Sequence, residues 1–187
     1  MFGVNSSKSE SQFFKIENIL KFSKVSEIKL KPLRKIEYDS NFSEFNKLIK
    51  NKKDASDKYF FVSNNGRWIG FVDENILKTV SLKKWERNFV GDFKKPIDSF
   101  ESVSCNYKLW RTVEKIEETN EGFLLVLNAA DIPLGIIDRS KIGNFVLNKL
   151  GFNLPLDIVN KLNFKNHYPL GIELPRIINS MKQKGDL

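Results

Sequence analysis

Two kinds of apolar spacing alternate along this chain, and the alternation occurs twice. Residues 40–50, SNFSEFNKLIK, place Phe42, Phe45 and Leu48 at i, i+3 and i+6, the stripe of an amphipathic helix. Residues 59–73, YFFVSNNGRWIGFVD, hold two apolar runs around Asn65-Gly66, a strong hairpin signal. ENILKTV then returns to helical spacing at Ile76 and Leu77. The same order recurs 65 positions later: residues 105–115, CNYKLWRTVEK, match Asn41 with Asn106, Phe42 with Tyr107, Phe45 with Trp110, Leu48 with Val113 and Lys50 with Lys115. Residues 124–138, LLVLNAADIPLGIID, lie on 59–73 without a gap, the NAADIP turn filling the positions of SNNGR. Gly70 falls on Gly135, Asp73 on Asp138, and Ile76 and Leu77 face Lys141 and Ile142.

Helix, hairpin and helix in register over some forty positions make an internal repeat. With first strands at 33–38 (LRKIEY) and 100–104 (FESVS), each unit reads β-α-β-β-α. The fold class is therefore α/β (α+β). A unit of about 60 residues buries little surface alone, so the two are expected to share a core as one pseudo-twofold disc. The predicted organisation is a leader and lead-in at 1–23, repeat one at 24–86, repeat two at 87–150 and a helical extension at 151–187. Residues 1–12 are polar and serine-rich and read as a loose leader, and 13–31 as a lead-in partly at helical spacing. Two helices are expected at 155–162 and 174–184, with Pro155 and Pro175 at their starts.

Composition narrows the class. Of 187 residues 41% are hydrophobic and 16 are phenylalanine, which excludes disorder. No run approaches the roughly 20 apolar residues of a membrane helix. A single cysteine, Cys105, excludes an internal disulfide and fits a cytoplasmic, reducing compartment. The net charge of +8 raises the question of nucleic acid, but the lysines are scattered; the nearest cluster, Lys47 to Lys53, ends a predicted helix and complements its dipole. A basic nucleic-acid-binding protein therefore stays only as a second alternative, which lysines gathered on one face would favour. His167 stands alone, and Cys105 has no histidine in its repeat, so neither a metal set nor a nucleophile–base pair is present and the chain reads as no enzyme. Trp110 belongs to a core stripe, Trp68 to a hairpin strand that can cover neighbouring helices, and Trp85 to a linker clamp.

The unit resembles a CBS domain, and the pair resembles the tandem CBS module. The residues behind this are Gly70-Phe71-Val72-Asp73 with Ile76, and Gly135-Ile136-Ile137-Asp138 with Lys141. The resemblance implies a regulatory module that pairs into homodimers and takes an adenine nucleotide, with a threonine meeting phosphate and a later aspartate gripping the ribose. Here aspartates stand at the threonine positions, and Ile76 and Lys141 at the aspartate positions. A carboxylate repels a phosphate, and neither isoleucine nor lysine accepts ribose hydrogen bonds. The candidate ligand residues are Gly70, Asp73, Ile76, Gly135, Asp138, Arg139 and Lys141. The alternative for both aspartates is a helix N-cap, and for Arg139 an ion pair. Open space beside Ile76 or Lys141 favours a nucleotide; a cleft plugged by Trp68 or Phe71 does not.

A narrower resemblance is to the carboxy-terminal cytoplasmic tail of bacterial site-2-type intramembrane zinc proteases. It rests on Gly66-Arg67-Trp68, Trp85, Ile137-Asp138-Arg139 and Tyr168-Pro169-Leu170-Gly171. Those proteases bind zinc through HExxH within the membrane, which this sequence lacks. The resemblance implies the regulatory part or a truncated relative, at the cytoplasmic face, with a membrane-protease domain or another protein as partner.

Overall fold

The computed structural model describes residues 4–50, 55–152 and 167–187. Two three-stranded sheets form the frame. In unit one β1 (Lys35–Glu37) runs parallel to β2 (Tyr59–Asn64), which is antiparallel to β3 (Arg67–Asp73). In unit two β4 (Ser102–Ser104), β5 (Phe123–Leu127) and β6 (Pro133–Asp138) repeat that order. Across the sheets Ile36, Val62 and Gly70 align in one row, and Val103, Val126 and Gly135 in the other. Both hairpins carry a bulge, leaving Ile69 and Leu134 unpaired just before the glycine.

The repeat is real, but its spacing is not one number. Ile36 and Val103 are 67 positions apart, Val62 and Val126 are 64, and Gly70 and Gly135 are 65. The ungapped match of 59–73 on 124–138 is thus corrected by one residue in the first strand. Asn65 and Gly66, both at positive φ, close the first hairpin in a two-residue turn. In the second, the Asn128 side chain accepts the amides of Ala130 and Ile132, holding a turn one residue longer.

Helix α1 covers Val4–Phe22, α2 Phe42–Ile49, α3 Leu109–Glu118, α4 Arg139–Lys149 and α5 Leu174–Lys184. The leader expected to be loose is helical from Val4. Its Ser, Lys, Glu and Gln tolerate a helix that Ile16, Ile19 and Leu20 anchor further on. Asn41 caps α2 in a capping box with Glu44, as its sequence suggests. Lys108 precedes α3 without a side-chain cap. The helix expected after Asp73 is only a 3-10 turn, Glu74–Lys78. The Thr79 hydroxyl bonds the Ile76 carbonyl, and Val80 then turns into the core. The helix expected at 155–162 lies outside the described residues.

Three cores result. One fills unit one around Phe42, Phe45, Phe60 and Val62. A second fills unit two and takes in α1 and α5 through Leu20, Leu174 and Ile178. Between the sheets lies an aromatic layer of Phe61, Phe71, Phe100 and Phe123, flanked by Tyr59 and Trp68.

The lead-ins cross. Residues 24–31, which enter β1 of unit one, lie on unit two: Lys24 bridges to Lys108 and Lys31 to Ile136. Residues 89–95, which enter β4 of unit two, lie on unit one: Phe89 bridges to Asn41 and Lys95 to Phe71. Val25 is buried in the core of unit two and Val90 in that of unit one, so each unit is completed by the chain that leads into the other.

Candidate functional site at the Gly–Asp corners

Each corner is a strand that passes through a glycine and ends in an aspartate. At Gly70 a Cβ would stand 2.5 Å from the Lys95 carbonyl oxygen; at Gly135 it would stand 2.7 Å from that of Lys31. Only glycine admits this approach, because the crossing chains hydrogen-bond beside it. Phe71 and Lys95 exchange amide–carbonyl bonds of 2.9 and 2.8 Å, and Ile136 and Lys31 bonds of 2.8 and 2.9 Å. The two glycines therefore make room for the protein's own backbone.

Asp73 caps the turn after β3: its Oδ1 accepts the Asn75 amide at 2.8 Å, and its Oδ2 accepts Lys95 Nζ at 3.0 Å. Burial pushes the carboxyl up, but the Lys95 ammonium and the Asn75 amide outweigh it and hold Asp73 below its ordinary value. A carboxylate with a depressed folded pKa contributes stability that is present above its unfolded value of 3.8 and is lost as pH falls through the lower folded one. Asp138 caps α4, its Oδ1 accepting the Lys141 amide at 2.7 Å. Both aspartates thus act as N-caps.

Ile76 is buried in the core of unit one and offers nothing to a cleft. Lys141 meets Asp138 through its backbone and is half-buried. Arg139 forms a forked pair with Glu117, at 2.8 Å from Nε and 3.1 Å from the second terminal nitrogen. Tyr168 adds its hydroxyl to the same Glu117 oxygen at 2.9 Å. Burial pushes Glu117 up, yet Arg139 and Tyr168 together hold it below the usual carboxylate range, while burial and Glu117 raise the Tyr168 phenol. Arg139, Glu117 and Tyr168 line an open cleft of ≈ 900 Å³ with His167, Glu173 and Arg176.

Phe71 and Trp68 fill the space between the units. Phe71 packs edge-on to Phe100 at 4.9 Å and to Tyr59 at 5.9 Å, and Trp68 edge-on to Phe61 at 6.4 Å. A polar clip closes the layer, with Lys58 and the Tyr59 hydroxyl both on Glu121, at 2.9 and 3.0 Å. The seven predicted residues thus divide between two corners with this layer in the middle.

Sequence reasoning missed Lys31 and Lys95, the residues that cover the glycines. Lys31 also reaches Ser56 Oγ and Asp57 Oδ1, both at 2.7 Å, joining β6 to unit one. Their signal was the repeated dipeptide, Lys31-Pro32 and Lys95-Pro96. Proline keeps the preceding residue extended and ends the pairing that follows. The pairing of Glu117 with Tyr168 had no signal, since it depends on where residues 167–173 return.

Among the described residues no helix is long and apolar enough to cross a membrane, and no group of three or more His, Cys, Asp or Glu could hold a metal ion. No family model and no curated protein matches the chain. Solved structures do. The CBS domain of a bacterial CNNM/CorC family Mg²⁺ transporter, in complex with ATP, aligns over 79% of this chain and 99% of its own, with a TM-score of 0.52 and 13% identity. CBSX2, a CBS-pair protein from Arabidopsis thaliana, aligns over 70% and 98%, with a TM-score of 0.52 and 20% identity. The likeness establishes the fold as that of a CBS-domain pair.

Proposed function

We propose that the chain is a non-catalytic regulatory CBS pair on the cytoplasmic side of the cell, and that it responds to a protein partner rather than to an adenine nucleotide. The fate of the corners carries this reading. The glycines are covered by crossing backbone, Asp73 is held by Lys95 and the Asn75 amide, Ile76 is core, and an aromatic layer fills the space between units. An adenosine would have to displace several of these contacts at once.

Thermal unfolding with millimolar AMP, ATP and S-adenosylmethionine, each with and without Mg²⁺, tests it. A ligand present at about 100 times its Kd adds ~2.7 kcal/mol, several degrees at this size. No shift is expected with any of them. The rival reading, a nucleotide sensor, draws support from Lys95, a cation from the other unit's lead-in 3.0 Å from Asp73 and able to meet phosphate. A shift with one adenine compound, lost in Asp138→Ala, would replace the first reading with the second.

The partner we propose is a site-2-type intramembrane zinc protease. Two of the motifs behind that resemblance converge: Arg139 of Ile137-Asp138-Arg139 and Tyr168 of Tyr168-Pro169-Leu170-Gly171 meet on Glu117. Co-purification of the chain with such a protease domain in detergent is expected, and is expected to weaken in a Glu117→Gln/Tyr168→Phe variant. Failure of the unaltered chain to co-purify would remove this partner while leaving the nucleotide result untouched.

A further inference from the structure

The linker between the units projects a short basic loop with an apolar tip. Val80 is buried in unit one, and the Trp85 indole N–H donates to its carbonyl at 3.0 Å. The Trp85 carbonyl in turn accepts the Phe42 amide at 3.1 Å. Pinned at these two points, Ser81–Lys84 stands outward, and all four residues are exposed. Leu82, at the tip, is 74% exposed, the most exposed large apolar side chain among the described residues.

Charge in the segment that carries this tip is mostly positive. Lys83 and Lys84 follow Leu82, and Lys78 and Arg87 flank it, all exposed. Between Asn75 and Gly91 the sequence has a single acid, Glu86. Its carboxylate is drawn back to the start of α2, accepting Ser43 Oγ and, at 3.3 Å, Asn41 Nδ2. Four exposed cations thus surround one leucine, of which Lys78 also donates to Asn75 Oδ1 at 3.3 Å.

We propose that this loop docks the module on an anionic lipid surface. Leu82 enters the boundary between headgroups and acyl chains, and Lys78, Lys83, Lys84 and Arg87 lie against the lipid phosphates. An apolar anchor inside a basic cluster is the combination that interfacial binding requires, since either alone holds weakly. Nucleic acid suits the loop less well: single strands stack on aromatic faces, and the tip here is aliphatic. The loop lies outside the aromatic layer and the corners, so its test is independent of the nucleotide result.

The experiment is co-sedimentation of the full chain with vesicles of phosphatidylcholine alone or with about 30% phosphatidylglycerol, at two salt concentrations. Binding is expected only to the anionic vesicles, and weaker in high salt. Leu82→Asp and Lys83→Glu/Lys84→Glu should each lower the partition at least about tenfold. Lys15→Glu/Lys29→Glu, the same charge change at exposed sites elsewhere, should stay within about twofold, and all variants should melt within a degree or two of the parent. No sedimentation with anionic vesicles would overturn the proposal. So would equal losses in the control pair, which would make binding a matter of net charge, or tighter capture of a short RNA through the same lysines.

Discussion

Phe61→Ala is expected to lower the unfolding free energy by roughly 3–5 kcal/mol, the range for removing a large ring from a core. Phe61 is fully buried in the layer between the sheets, where its ring meets Trp68, Phe71 and Phe100 at 6.4, 6.3 and 5.5 Å. Trp68 and Phe71 are fixed in β3 and Phe100 by the turn that leads into β4, so they cannot collapse together into the space. Urea denaturation reads the loss directly, and the melting temperature should fall by about 10 °C. Phe14→Ala, at an exposed site on α1, should change stability by no more than about 0.5 kcal/mol. A loss below about 1 kcal/mol at Phe61 would mean a loosely packed layer that could part for a ligand. That result would count against the functional reading as well as against the packing.

The second large effect is expected at the glycines. Valine at Gly135 would bring a Cβ within 2.7 Å of the Lys31 carbonyl oxygen and 2.8 Å of Leu30 Cβ. At Gly70 the nearest atom, the Lys95 carbonyl oxygen, is 2.5 Å away. Backbone cannot swing aside as a side-chain end can, so relief requires the crossing chain to lift. A cost of about 3 kcal/mol, the upper end for overpacking, is expected in each variant. Hydrogen exchange should show where it falls. Gly135→Val should expose the Lys31 and Ile136 amides and spare those of Lys95 and Phe71, with the reverse pattern for Gly70→Val. Unchanged protection at Lys31 in Gly135→Val would refute the crossing itself.

The strands and helices near the corners were legible because their spacing is local. Phe42 and Phe45 declare α2, and Asn65-Gly66 declares its turn, since a two-residue hairpin needs positive φ at both positions. The aspartates were legible as caps for the same reason: the bonds they accept come from residues two or three positions on. What escaped was whatever depends on contacts far apart in sequence. The lead-ins at 24–31 and 89–95 were counted with the repeats they enter, yet they pair with the opposite unit, and only the paired Lys-Pro dipeptides hinted at this. The missing helix after Asp73 was hidden too, as ENILKTV has helical spacing, yet Thr79 and Val80 close it after one turn. Asymmetry enters where α1 and α5 both pack on unit two.

The crossing lead-ins also tie the two sheets together. From Lys31, bonded to β6, the chain reaches Lys35 in β1 in four steps, a span of at most about 14 Å. From Lys95, bonded to β3, it reaches Ser102 in β4 in seven steps, at most about 24 Å. One strap is nearly twice as long as the other. The longer strap takes up its extra length in the 3-10 turn Ile97–Ser99, and Phe100 then fixes it between the sheets. The sequence repeat is nearly symmetric, but the two ties it builds between its sheets are not: one runs straight across, and the other carries a turn and a core phenylalanine.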